Sequence, residues 1–303
     1  MPKAVSFSRF GGPKVLELID IELPEPQSGE VQVQVRSAGV NPWDFKVRRG
    51  YIPGHQLPSR QGVEFAGVVR AIGADISNWS VGDEVIGWIG NGAQAEFVTV
   101  PERQLATKPT KLDWNIAGGL GLSANTARRS IDSLDLGPED TVLVTGAAGG
   151  VGVIAIQFAK ALGAKVVGTA SSRNHEFLSS LGITPITYGD GELERLRAAA
   201  PQGYTAALDT VGDIAIETAL ALEIPPARID TIASNDASEK YGVLSVGGGK
   251  KNSTELTEFA RAASANELVL PIRGAYPMDE VVRAYRDLES GHGLGKIVLT
   301  VNN

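Results

Sequence analysis

The sequence predicts an α/β protein in two parts: a strand-rich segment forming a small β-barrel or sandwich, and a doubly wound parallel sheet. Three observations predict this. Period-2 alternation, broken by glycine and proline, dominates residues 1–117. From about Asn115 onward, short β-rich runs alternate with helical stretches. The first of those runs ends in the glycine turn Thr145-Gly146-Ala147-Ala148-Gly149-Gly150-Val151-Gly152, which opens a helix.

In the first part, Val15 to Ile19 reads as a strand, and Val31, Val33 and Val35 alternate with Gln32, Gln34 and Arg36 as a half-buried strand does. Pro24, Pro26 and Gly29 punctuate the space between them. Val63 to Ile72 and Ala95 to Val100 are further strands. Asn41-Pro42 opens a short helix, because asparagine caps and proline suits the first helical position. In the second part, strands are expected at Thr141–Thr145, Ala164–Thr169, Pro185–Tyr188, Ala206–Asp209, Arg228–Ala233 and Val243–Val246. Helices are expected at Val153–Leu162, His175–Leu181, Leu193–Ala200 and Ile214–Leu222. An amphipathic helix, Met278–Ser290, and a strand, Lys296–Val301, close the chain. The domains are expected at 1–117, completed by 266–303, and at 118–265.

Composition narrows the function. The chain has 303 residues, and its net charge of -7 argues against nucleic acid or an anionic membrane as partner. It has no cysteine, which excludes disulfides, thiol nucleophiles and thiolate metal sites and suits a reducing, cytoplasmic compartment. The N-terminal MPKAVSFSRFGG lacks the apolar stretch of a signal peptide. Residues 141–159 carry no charge, but Gly146, Gly149, Gly150 and Gly152 make them a strand, turn and helix rather than a membrane span.

The glycine turn carries the chemistry. Its pattern is A-x-G-x-x-G at Ala147, Gly149 and Gly152: Gly149 lets backbone approach a pyrophosphate, and Gly152 permits close packing of helix on strand. The helix N-terminus then offers N–H groups and a positive dipole end to phosphate. An NAD site places a carboxylate about 20 residues on, to hold the ribose 2′-hydroxyl. Here that stretch reads Gly168-Thr169-Ala170-Ser171-Ser172-Arg173, with hydroxyls and a cation in place of an acid. Ser171, Ser172 and Arg173 therefore predict NADP(H), whose 2′-phosphate an arginine attracts.

These residues, together with Gly39-Val40-Asn41-Pro42-x-Asp44, Pro58-x-x-x-Gly62-x-Glu64-x-x-Gly67, Val81-Gly82-Asp83-x-Val85 and Gly291-His292-x-x-Gly295-Lys296-Ile297-Val298-Leu299, resemble the zinc-free medium-chain dehydrogenase/reductases of the quinone oxidoreductase (zeta-crystallin-like) group. The resemblance implies a GroES-like catalytic domain with a Rossmann domain inserted in it and the active site in the cleft. It also implies hydride transfer from NADPH to a quinone or an activated alkene, and a homodimer through the sheet edge near Tyr241 to Val246. By position it makes Asn41 the asparagine near nicotinamide and substrate, Thr126 the threonine beside the nicotinamide ribose, and Tyr188 the tyrosine flanking the 2′-phosphate. Ala233, Ser234, Gly247 and Gly248 fall near the nicotinamide end.

The chain departs from the family in places. Val63 stands where zinc-dependent relatives have histidine, and Leu294 where many relatives carry a cation. A lysine common in the stretch after Arg173 is displaced or replaced, with His175 as the candidate replacement.

Reduction of an enone or quinone develops an oxyanion, so a donor is needed. Asn41 is one candidate; Tyr51 is another, read either as a proton donor or as an aromatic packed at the cleft edge. Asp44 is read as capping or pairing with Arg48. Glu64 is read as a buried partner or as a polar group of the cleft. Rival readings are an enoyl-thioester reductase and a binding protein that senses the NADPH/NADP+ ratio.

Overall fold

The computed structural model describes residues 1–247, 249 and 251–301. The chain divides into two compact units, one of Met1–Leu122, Lys251–Gly291 and the tail from Lys296, the other of Ser123–Lys250 and His292–Gly295.

The first unit is built on β1 (Lys3–Phe7), β2 (Glu17–Asp20), β3 (Glu30–Val40), α1 (Pro42–Arg48), β4 (Ser59–Arg60), β5 (Glu64–Ile72), β6 (Glu84–Trp88), β7 (Phe97–Pro101) and β8 (Leu105–Thr107). Its three-stranded sheet runs β2-β1-β4. Later elements β14 (Ile272–Pro277) and β15 (Lys296–Thr300) join a seven-stranded sheet of order β14-β15-β3-β5-β6-β8, with β7 also paired to β3. The alternation read from the sequence is what buries Val31, Val33 and Val35 on one face of β3. They join Phe7, Phe65 and Leu299 in a core sealed by Val281, Ala284 and Tyr285 of helix α9 (Val281–Glu289).

The second unit is a five-stranded, all-parallel sheet of order β11-β10-β9-β12-β13. Its strands are β9 (Thr141–Val144), β10 (Lys165–Thr169), β11 (Thr184–Ile186), β12 (Ala206–Asp209) and β13 (Ile229–Thr231). Its helices are α3 (Gly150–Ala161), α4 (His175–Ser180), α5 (Glu192–Ala199), α6 (Asp213–Ala221) and α7 (Ala237–Tyr241). The chain winds from β9 outward to β11, then crosses to β12 on the other flank. The switch in direction opens a crevice at the carboxyl ends of β9 and β12, where open α/β sheets bind ligands. This is the α/β class the sequence predicts.

Some elements differ from expectation. The strand expected at Val15–Ile19 begins only at Glu17, because Pro13–Val15 form a tight helical turn. Val243–Val246 is not a strand; Leu244 alone makes a bridge, to Asp230. The helix α2 (Trp114–Ser133) has no counterpart in the sequence reading. Gly118, Gly119 and Gly121 lower helix propensity there. They are present because the helix lies so close to strands: a side chain at 118 would strike Ser37 of β3, and one at 119 would meet Lys296 and Val298 of β15. Helix α8 (Ser253–Ser264) was legible but unread: Asn252 accepts the Glu255 N–H at 2.7 Å, and Leu256, Phe259, Ala260 and Ala263 recur at helical spacing.

Candidate functional site

The first part of the site is the turn between β9 and α3. Gly146 takes φ +65°, the left-handed conformation that glycine adopts freely. A side chain at Gly152 would collide with the Gly146 carbonyl and the Ala147 backbone, so the helix can start only where residue 152 lacks one. Gly149 is different. Its backbone is ordinary extended chain, and an added Cβ would meet only the Gly146 oxygen at 3.3 Å. What glycine provides there is open space before the first N–H groups of α3, which receive no side-chain cap. Gly150 and Val151 are half-buried behind it, and Ala147 is fully buried, its N–H donating to Thr169 O at 3.0 Å. This cradle fits a pyrophosphate, which takes N–H donors and the helix dipole together.

A second cluster stands at the end of β10. Ser171 Oγ lies 2.9 Å from the Tyr188 hydroxyl, which lies 2.7 Å from His292 Nδ1. The guanidinium of Arg173 donates to the His292 carbonyl. Ser172 is exposed beside it and starts a short helical turn. Ser171, Arg173 and Tyr188, selected from the sequence, thus share one corner, and His292 is a fourth member that the reading gave no role. His175 Nε2 lies 3.3 Å from Ala170 O and 3.4 Å from the Thr187 hydroxyl. Both contacts are to the chain neighbours of Ser171 and Tyr188.

The crevice itself is braced by Asp209, a residue the sequence reading passed over. This buried carboxylate accepts from the Thr145 hydroxyl at 2.8 Å, the Val211 N–H at 2.8 Å and the Thr231 hydroxyl at 2.6 Å, with the Gly212 N–H at 3.0 Å. It ties the carboxyl ends of β9, β12 and β13 together. The available signal was a strand ending in an acid before a Thr-Val-Gly turn. From Thr231 the chain continues to Ala233, whose N–H donates to the Thr231 hydroxyl at 3.1 Å, and to Ser234, whose hydroxyl donates to Asp213 at 2.6 Å. Gly247 packs on Ile232, where a side chain would intrude. Gly248 lies outside the described residues. Thr126 is half-buried on α2.

Asn41 belongs to the first unit and to a buried polar cluster. It is the N-cap of α1 in a reciprocal capping box with Asp44, whose Oδ2 accepts the Asn41 N–H at 2.8 Å. Its side chain is held at both ends: Lys296 Nζ donates to Asn41 Oδ1, and Asn41 Nδ2 donates to Glu64 Oε1 at 3.0 Å. An ammonium has only donors, so the amide orientation is chemically determined. Glu64 also accepts from Lys296 at 2.8 Å and from the Leu122 N–H at 2.7 Å, with Glu64 and Lys296 side chains 2% and 5% exposed. Glu64 is therefore the buried partner among its two readings, pressed against the backbone at Gly39, where any side chain would strike it. Arg48 pairs with Glu289, not with Asp44. Tyr51 stands past the other end of α1, 57% exposed and near Arg49.

Burial raises the Asp44 carboxyl to about pH 7, against the Asn41 N–H, Lys296 and the Tyr285 hydroxyl, which favour its charged form. Burial likewise pulls the Lys251 ammonium below its usual range. A carboxyl whose folded pKa exceeds its unfolded value of 3.8 adds stability that is complete below that value and is lost as pH rises through about 7. Urea unfolding should accordingly show this contribution disappearing between about pH 4 and 7. Asp44→Asn should flatten that slope; an unchanged slope would remove Asp44 as its source.

The comparisons with known proteins agree with this layout. Residues 27–110 match the alcohol dehydrogenase GroES-like domain, and residues 150–251 the family described as zinc-binding dehydrogenase. An NADPH-dependent alkenal/one oxidoreductase of Arabidopsis thaliana is 31% identical over 98% of this chain and 79% of its own. The chain belongs to the medium-chain dehydrogenase/reductases, in their quinone oxidoreductase group. Human quinone oxidoreductase is 28% identical over 98% of this chain and 97% of its own. The quinone oxidoreductase structure of Coxiella burnetii superposes with a TM-score of 0.88 at 32% identity, covering 99% of both chains. That of Escherichia coli, complexed with NADPH, gives 0.87 at 25%, covering 98% of this chain and 99% of its own.

This member of the family has no cysteine. Among the described residues no group of three or more His, Cys, Asp or Glu could hold a metal ion, and no helix is long and apolar enough to cross a membrane.

Proposed function

We propose that this chain is an NADPH-dependent reductase that delivers hydride to a quinone or to an activated alkene. The observation that carries the reading is the corner formed by Ser171, Arg173 and Tyr188 one strand away from the glycine cradle: hydroxyls and a guanidinium at the place where an NAD site would hold a carboxylate. The relatives named as quinone and alkenal/one oxidoreductases support the substrate class.

In this reading the backbone at Gly149–Gly152 and the N-terminus of α3 hold the pyrophosphate, and Ser171, Ser172, Arg173 and Tyr188 hold the adenosine 2′-phosphate. Thr126, Ala233, Ser234, Gly247 and Gly248 serve the nicotinamide end. The cofactor supplies the hydride, and the protein supplies position and charge. Asn41 has given Oδ1 to Lys296 and one Nδ2 hydrogen to Glu64, so its second Nδ2 hydrogen is what remains to donate to a developing oxyanion. Tyr51, 57% exposed and near Arg49, is the candidate proton donor.

Two finer points belong to the proposal. The chain pairs through the edge of the parallel sheet near Tyr241–Val246, where Leu244 bridges Asp230 beside β13. Light scattering should give twice the chain mass of 31.8 kDa. The working compartment is the cytoplasm, whose soluble NADPH the reaction draws on.

The test follows NADPH and NADH absorbance with 1,4-benzoquinone, 9,10-phenanthrenequinone and a small enone, against an enzyme-free blank. Enzyme-dependent oxidation that prefers NADPH is expected. Tight NADPH binding without turnover on any of them would overturn the reductase reading and favour a sensor of NADPH.

A further inference from the structure

His292 belongs to the Gly291–Leu299 stretch that carries the family resemblance, 119 positions from Arg173 and 104 from Tyr188. In the fold it meets both. Its Nδ1 lies 2.7 Å from the Tyr188 hydroxyl, and the two rings are stacked, 6.2 Å apart at 14°. Its carbonyl receives the Arg173 guanidinium. Its backbone takes φ +60°, directly after Gly291 at +71°, a conformation uncommon for a residue with a side chain. Three residues on, Gly295 N–H donates to Ala148 O at 2.7 Å, and Gly295 bridges Gly149. The tail segment is therefore fixed at one end to the glycine turn and at the other to the Ser171–Arg173–Tyr188 corner. Strained backbone of this kind persists where the surroundings demand it, and such places cluster at ligand sites.

We infer that His292 is a specificity-determining residue for the phosphorylated cofactor. The inference rests on the reading of the corner as the 2′-phosphate site. Tyr188 engages Nδ1, so the other ring nitrogen, Nε2, which has no partner among the described residues, is the one left for the phosphate. The carbonyl of the same residue accepts from the Arg173 guanidinium and so holds it in the corner. The tail thus supplies, from position 292, the group that Leu294 cannot supply. A polar nitrogen aimed at the phosphate favours NADPH and is indifferent to NADH, which has only a hydroxyl at that place.

The test is equilibrium binding, read by fluorescence titration with NADPH, NADH and adenosine 2′,5′-bisphosphate. His292→Asn is the primary variant because asparagine tolerates the left-handed backbone. Weakening of NADPH and of the bisphosphate by roughly tenfold, the value of one hydrogen bond to a charged group, with NADH unchanged, is expected. His292→Lys should restore most of the loss by returning a donor and a charge. Equal weakening of NADPH and NADH would mean that the residue only shapes the tail, and an unchanged NADPH affinity would mean that it touches nothing; either overturns the inference. The two levels separate through Arg173→Gln. If that variant loses NADPH affinity and His292→Asn does not, the corner stands and the role of His292 falls. If neither does, the 2′-phosphate reading falls with it.

Discussion

Replacing Lys296 by methionine should destabilise the protein by about 3–5 kcal/mol, the typical result of stripping one partner from a buried ion pair. Methionine keeps the apolar length of the stem but leaves the Glu64 carboxylate, 2% exposed, facing the Asn41 amide without its hydrogen-bonded cation. Much of the loss is the burden of that uncompensated charge rather than the worth of the pair itself. The double variant Lys296→Met/Glu64→Gln, which removes the charge as well, should recover more than half of the loss, with a coupling well beyond simple addition. Urea unfolding of the wild type, both single variants and the double variant measures it. A single-variant loss under about 1 kcal/mol would mean that water reaches the pair and that the cluster does not hold Asn41. If Asn41 has the proposed role, the folded fraction of Lys296→Met should also turn over more slowly, because its amide then keeps only the Glu64 contact of the two that hold it.

Arg173→Glu should weaken NADPH by at least roughly 100-fold while changing NADH by less than about threefold. Loss of the guanidinium alone accounts for about 10- to 100-fold, since a charge-assisted hydrogen bond is lost. A carboxylate in its place adds repulsion against the 2′-phosphate and restores the acid that sites for the unphosphorylated cofactor use on the ribose hydroxyl. The glutamate also has no donor for the His292 carbonyl, so the tail segment keeps only Tyr188 as its contact with the corner. Titration with both cofactors reads the ratio directly. An unchanged NADPH affinity would remove Arg173 from the site.

The corner was half legible in the sequence. Ser171 and Arg173 follow the glycine turn within one βαβ unit, so counting residues reaches them. Tyr188 entered only through the family resemblance, and His292 did not enter as a ligand at all. Its motif marks the segment, but its partners lie more than a hundred positions away, so nothing local assigns position 292 a ligand. Asp209 escaped for a similar reason: a strand-ending aspartate looks like a loop residue until three strand ends converge on it. Helix α2 was unreadable by propensity because its glycines answer to Ser37 and Lys296 rather than to their own segment.

The sequence by itself determined what depends on neighbours along the chain: the buried face of β3, the cap of α1 at Asn41, the turn that starts α3 and the absence of thiolate chemistry. Backbone sterics and side-chain periodicity act over a few residues, so a short window contains their causes. The tertiary structure alone decided which charges share a dry environment. Lys296 and Glu64 are 232 positions apart, and their pairing around Asn41 exists only once β15 lies beside β3. Desolvation and Coulomb attraction depend on distance in space, which the chain sets by folding and does not record locally.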